Sequence, residues 1–292
     1  MKIIVTADLH YDSIKSRQPT ADLAREICRI GGDVLVLVGD TASAAHDPLR
    51  DCLKLFAGFT GKKFFVPGNH SLWCLSGEDS LQRYESIVPQ LAAECDFTML
   101  DHAPTVLEGV GFVGSVGWYD YSYRNEELDI PLEFYRAKVA PGAARRLPEH
   151  KDLADRMAER VTPEHLDIAT RWMDGVRMNM PLSDEQFLEY LLERLARQLK
   201  AMDASAAVRQ VLAFVHHLPF RELVPQQRPP PLAFAAAYMG SDKIGHALLE
   251  CKKLSHVFCG HSHWPGRLNV KGVEVINVGS TYFEKRLEVL EL

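Results

Sequence analysis

The sequence predicts an α/β protein, a layered β-sandwich flanked by helices and carrying a helical insert, and three observations lead there. Short β-branched or aromatic runs such as Ile3-Ile4-Val5, Val34-Leu35-Val36-Leu37-Val38 and Phe64-Phe65-Val66 read as buried strands. Helical periodicity separates them in the first third, giving βαβα and then β-rich structure, the pattern of stacked layers. From about residue 119 to residue 204 the strands give way to apolar stripes at helical spacing. A chain of 292 residues can bury a sizeable core. We read 1–292 as a single domain with an insert at about 119–204.

Taken in order, the first strand leads into a helix over 21–30, where Leu23, Ile27 and Ile30 share one face. After the second strand, Asp47-Pro48 reads as an N-cap followed by proline at the first helical position, opening a helix through Leu55. A third helix is expected over 80–94, and strands over 97–100, 105–107 and 111–117.

Three helices are expected in the insert. Residues 148–161 align Leu153, Met157 and Val161. Thr162-Pro163-Glu164 caps a second, with Leu166, Ala169, Trp172 and Val176 following. Ser183-Asp184-Glu185-Gln186 is a capping box opening a longer helix through Phe187, Tyr190, Leu191, Leu195 and Met202. Strand structure resumes at Val211. Residues 225–231, with Pro229-Pro230-Pro231, read as a stiff extended loop. A helix over 241–253, a strand over 256–258 and terminal strands over 266–270, 273–278 and 286–290 complete the chain.

Composition narrows the function classes. The chain is 47% hydrophobic and 25% charged, ordinary for a globular domain. A net charge of −6 weighs against long nucleic acid as a partner. No apolar run approaches the roughly 18 residues a membrane span needs. The first strand begins within two residues of Met1, which leaves no room for a secretory leader. The six cysteines (Cys28, Cys52, Cys74, Cys95, Cys251, Cys259) contain no CxxC pair and read as reduced, so a cytoplasmic protein is expected.

The chemistry lies where the strand runs end. Five clusters follow five such runs: Asp8-Leu9-His10, Gly39-Asp40, Gly68-Asn69-His70, His216-His217, and Gly260-His261-Ser262-His263. Asp, His and Asn without Cys are donors for Mn²⁺, Fe or Zn²⁺ rather than for a structural thiolate site. Seven ligands exceed the needs of one tetrahedral ion. They suit two ions sharing a carboxylate, an arrangement that activates water against a phosphate ester.

The ordered set DxH, GD, GNH, H and GHxH, from residue 8 to residue 263, resembles the calcineurin-like metallophosphoesterase superfamily. That resemblance implies a metallophosphoesterase-like sandwich with two divalent metal ions at one end of the strands. Asp8, His10 and His263 would bind the first ion and Asp40 would bridge both. Asn69, His216 or His217, and His261 would bind the second, while His70 faces the leaving-group oxygen. His216 is preferred over His217 because it follows its strand directly.

Two positions depart from the family pattern. Ser71 stands where an acid usually follows GNH, and residues 39–44 lack the second acid of the protein phosphatase branch. Whatever orients His70 must come from elsewhere, and protein phosphatase activity loses support. The expected function is hydrolysis of a small phosphomonoester or phosphodiester, nucleotides included, by in-line attack of a metal-bridging hydroxide. A nuclease of the same fold and a non-catalytic scaffold are the alternatives; the presence of every expected ligand type opposes the scaffold.

Three finer expectations follow. His261 and His263 lie two apart, so an extended segment would point both to one side. The insert should cover or border the metal site, with Trp118, Tyr119, Tyr121 and Tyr123 as one wall; core packing and a nucleobase platform are the other uses of those rings. Asn277 with Gly279-Ser280 should form a loop after a late strand, as is frequent in the family.

Overall fold

Alternation inside the buried runs sets the layering. The computed structural model describes residues 1–225 and 229–292. One sheet holds β1 (Lys2–Thr6), β2 (Val34–Val38), β3 (Lys62–Val66) and β4 (Thr98–Met99) in parallel, with β11 (Leu287–Glu291) antiparallel beside β1. The other has the order β5 (Thr105–Leu107), β6 (Val110–Ser115), β7 (Gln210–Val215), β8 (Leu254–Cys259), β10 (Val273–Asn277) and β9 (Gly266–Val270). Val34, Val36 and Val38 meet Phe112, Leu212, Phe214 and Phe258 between the sheets. Leu35 and Leu37 turn outward against Leu23, Ile27, Leu49 and Leu53 of the flanking helices. Both faces of β2 are covered, which is why it reads as an unbroken apolar run.

Tertiary anchors adjust the helices. The first spans Ile14–Ile30, starting seven residues ahead of expectation despite Pro19. The buried hydroxyls of Ser16 and Thr20 fix its opening turns to the Tyr282 and Leu9 carbonyls at 3.0 and 3.1 Å. The second is His46–Lys54 with Ala45 at its cap, so Asp47 sits in the first turn instead. Residues 80–94 are helical throughout, with a π turn at Arg83–Ile87. Buried Arg83 donates from Nε to the Ser71 carbonyl at 3.0 Å, tying this helix to the Asn69 loop.

The insert has one long helix rather than three. Asp184–Ala204 opens on the expected capping box: the Ser183 hydroxyl accepts from Gln186 N at 3.2 Å and Gln186 Oε1 accepts from Ser183 N at 2.9 Å. Residues 148–161 break into short pieces, Pro148–His150, Lys151–Arg156 and Ala158–Arg160. Thr162 does cap a helix, but that helix ends at Leu166 after about one turn. The chain beyond is drawn into extended pairing with 138–142: Gly142 N bonds the Ile168 carbonyl, Ala140 N that of Thr170, and Trp172 N that of Lys138. These backbone bonds outweigh a modest helical propensity.

Pro230–Ala235 is a short helix with proline in its first turn, which overturns the extended reading for 230 and 231. Residues 226–228 of that expected loop lie outside the described ones. The helix expected over 241–253 is Asp242–Leu249. Among the described residues, no helix is long and apolar enough to cross a membrane.

Candidate metal centre

Every strand that feeds the site ends at the same edge of the sandwich. The carboxyl ends of β1, β2, β3, β7 and β8 deliver Asp8, Asp40, Asn69, His216 and His261 there. Glycines give these side chains room. A Cβ on Gly39 would fall 2.0 Å from His216 Nδ1, and one on Gly68 would fall 2.1 Å from Asp40 Oδ1. The glycine of GD and that of GNH are therefore required by close approach of other site side chains.

The ligand atoms form three overlapping groups. Asp8, His10 and His263 lie together, as do His10, Asp40 and His70, and Asp40, His216 and His261, each set within 4.8 Å. Asp40 stands at the junction. Its Oδ1 is 3.4 Å from His216 Nε2, and its Oδ2 is 3.7 Å from Nε2 of both His10 and His70. His10 and His263 bring their Nε2 atoms to 2.9 Å, and His263 Nε2 is 3.8 Å from Asp8 Oδ1. His216 Nε2 and His261 Nδ1 are 3.2 Å apart.

Backbone carbonyls orient two of these rings. His216 has Nδ1 on the Val38 carbonyl at 3.2 Å, and His261 has Nε2 on the Tyr238 carbonyl at 3.1 Å. The opposite nitrogen of each is left facing the cluster, the usual setting of a ligating imidazole. His217 has Nδ1 on the Val116 carbonyl at 2.9 Å, a buried Nε2 with no hydrogen-bond partner, and no place in the three groups. His261 and His263 do reach the site, but not from an extended segment: both hold left-handed backbone, φ 69° and 57°.

Electrostatics favour cations here. Burial raises the Asp8 carboxyl, ahead of the opposing pull of His263 and His216. Burial would also raise Asp40, but His70, His216 and His10 outweigh it and hold that carboxyl well below its ordinary value. Burial drives His10 and His261 well below the imidazole range and His217 down to about 3. His216 runs the other way, since the Asp40 carboxylate more than offsets its burial. Neutral His10 and His261 beside the Asp40 carboxylate are in the state a divalent ion requires, and binding one at His216 would displace a proton. Asp8 Oδ2 and Asn69 Oδ1 are buried with no hydrogen-bond partner, so the residues fit a pair of ions.

Four contributors have no strand-end motif to mark them. Tyr282 stacks on His10 with ring centroids 4.7 Å apart. Lys285 Nζ donates to the Asp8 carbonyl at 2.7 Å. Trp73 stacks on His70 at 3.7 Å, and Asp174 of the insert accepts from Asn69 Nδ2 at 2.8 Å. Spacing offers no signal for the first two, or for Asp174; Trp73 sits three residues after His70 and could have been suspected. Asn277, the last residue of β10, donates to Ser262 Oγ and the Trp264 carbonyl at 2.7 and 2.8 Å, bracing the His261–His263 loop.

A cavity of about 760 Å³ opens onto Asp40, Asn69, His70, His261 and His263. Residues 170–174 of the insert line it, together with Trp73, Leu232 and Trp264. The expected wall of Trp118, Tyr119, Tyr121 and Tyr123 is not there. Those rings are buried and hydrogen-bonded to Asp184, Asp174 and Asp242, which also removes them as a nucleobase platform.

A family profile described as calcineurin-like phosphoesterase matches residues 1–265. A search of curated proteins finds no match. Among solved structures, a phosphopantetheinyl hydrolase from Mycobacterium tuberculosis superposes with a TM-score of 0.66 at 18% identity, covering 98% of this chain and 95% of its own. A dimetal phosphatase from Danio rerio gives 0.54 at 16% identity, covering 99% and 91%. At such identities these two structures speak to the fold.

Proposed function

The chain belongs to the calcineurin-like phosphoesterase family and is a phosphoric ester hydrolase; from that premise we propose that it cleaves a small phosphomonoester or phosphodiester with two divalent ions. Asp8, His10 and His263 would hold one ion, Asn69, His216 and His261 the other, and Asp40 would serve both. When bound, such ions supply a nucleophile from water and neutralise the charge that develops on the phosphate. Mn²⁺, Fe and Zn²⁺ all suit the donor set.

The chain's own residues would do the rest. His70 lines the cavity with its side chain 18% exposed, whereas His216 is fully buried, and is the group placed to give a proton to the departing oxygen. Trp73, Trp172, Leu232 and Trp264 offer an apolar wall to the organic part of the ester. Residues 119–204 would act as an insert bordering the site within one domain, restricting it to small esters. Six unpaired cysteines suit a reducing cytoplasm.

The observation that carries this reading is Asp40, whose two oxygens face different histidines, His216 on one side and His10 and His70 on the other. The test uses protein stripped of metal and reloaded with Mn²⁺. It is assayed on p-nitrophenyl phosphate, bis(p-nitrophenyl) phosphate, nucleoside monophosphates and a phosphopantetheinyl ester, the last suggested by the name of the Mycobacterium protein. Turnover of one or more small esters, abolished by chelator, is the expected result. Protein that binds two ions and turns over none, or that prefers duplex DNA, would overturn it.

A further inference from the structure

We infer that Asp174, from the insert, positions both Asn69 and His70 and so takes the place of the acid that residues 39–44 and Ser71 do not supply. This inference rests on the roles proposed above for Asn69 and His70. Asp174 is 2% exposed, and its two oxygens take four side-chain hydrogen bonds. Oδ1 accepts from Asn69 Nδ2 at 2.8 Å and from Trp73 Nε1 at 2.7 Å. Oδ2 accepts from Tyr119 OH at 2.9 Å and from Trp172 Nε1 at 2.7 Å.

The consequence for Asn69 is an orientation. An amide side chain has one end that donates and one that accepts. A carboxylate can only accept, so Asp174 selects the NH₂ end and leaves Oδ1 facing the cluster, buried and unpartnered. That oxygen is the only atom of the amide suited to a cation. With Asp174 removed the amide could turn over, presenting its NH₂ to the site.

The consequence for His70 runs through Trp73. The indole lies against the imidazole at 3.7 Å with 24° between the planes, and its N–H is fixed on Asp174. The indole can neither slide nor tilt without breaking that bond, so the imidazole keeps one orientation. Further bonds hold the two segments in register: Cys74 N to the Arg177 carbonyl at 2.7 Å, Ser80 N to the Asn179 carbonyl at 3.0 Å, and Asn179 N to Ser80 Oγ at 3.0 Å. The insert is thereby clamped along 74–80, directly beyond the Asn69 loop.

The experiment is a two-site Mn²⁺ titration of metal-free wild type, Asp174→Asn and Asn69→Ala, by calorimetry and by metal content. Circular dichroism serves as the control for folding. Asn69→Ala should lose affinity at one site; if it keeps both, the ligand role of Asn69 fails and this inference with it. Given that loss, Asp174→Asn should weaken the same site roughly 10–100-fold and leave the other within about threefold. A merely structural role would weaken both sites or neither, and either result overturns the inference.

The second arm uses Trp73→Phe, which keeps a stacking ring but loses the N–H that Asp174 holds. On esters with poor leaving groups it should lose on the order of tenfold in kcat, with aryl esters changing far less; an unchanged kcat would overturn the His70 half. Should Asp174→Asn not fold, a structure of the metal-loaded wild type decides. Asn69 Nδ2 remaining on Asp174 supports the inference, and an amide turned away or an ion bound directly by Asp174 overturns it.

Discussion

The strand-end loops and the insert meet at one cavity, yet they contribute to it in opposite ways. The loops present their chemistry next to regular structure, each functional residue within a few positions of a buried strand. The insert reaches the same space through residues 170–174, of which 170–172 are held extended by backbone bonds to 138–140 and Asp174 opens a short helix, Asp174–Arg177. Its regular part, the helix Asp184–Ala204, packs on the core instead. The difference teaches where chemistry can be found: a scaffold displays it at strand ends, whereas an added segment places it wherever tertiary contacts bring a side chain.

The most severe way to probe the contrast strikes the scaffold at its junction. Asp40→Asn should lose both ions together and lower kcat/KM by on the order of 10⁴-fold, several kcal/mol of charge stabilisation. Metal content and steady-state kinetics on the purified variant read this out; a protein that keeps both ions would show that Asp40 is not shared.

His70→Asn should spare metal content. It should slow esters with poor leaving groups by roughly 10²–10⁴-fold, while aryl esters, which need little protonation, change far less. Equal losses on the two ester types would move His70 to another role.

A carboxylate of the insert remote from the ligands gives the matching control. Asp184 receives Trp118 Nε1 at 2.9 Å, Tyr121 OH and Lys138 Nζ, and no metal-site residue. Asp184→Asn should cost about 1–3 kcal/mol of stability, seen in denaturant melts, and leave metal affinity unchanged. Loss of an ion here would erase the distinction between the two parts of the insert.

A pH titration tests the seam between insert and scaffold. Burial raises the Asp101 carboxyl from 3.8 to about 7, against hydrogen bonds from Val116 N and Tyr84 OH. Gln198 of the long helix donates to the Asp101 carbonyl at 2.6 Å. A carboxyl raised in the folded state adds stability that is complete below about pH 4 and lost as pH rises through 7. Wild type should therefore lose stability across that window, and Asp101→Asn should lose less. Parallel Tm profiles for the two proteins would exclude the titration.

Legibility in the sequence follows the same division. The central strand runs stood out because both of their faces are buried, and the candidate ligands stood out because they directly follow those runs. Ser183 was readable since a capping box is local. Asp174 was not: its importance comes from Asn69, 105 positions away, and from three aromatic side chains. The break at Leu166 was equally hidden, because the bonds that end that helix belong to residues 138–142. Short-range patterns foretold what short-range forces decide.

The backbone at the site carries one more consequence. Asp8, His10, Asp40, His261 and His263 all hold positive φ, between 43° and 69°. At on the order of 1 kcal/mol each, such conformations together approach the low end of a whole domain's net stability. Bound ions would offset that cost, since a ligand taken only by the folded chain adds stability by mass action. Metal supply would then govern the lifetime of this protein as well as its turnover.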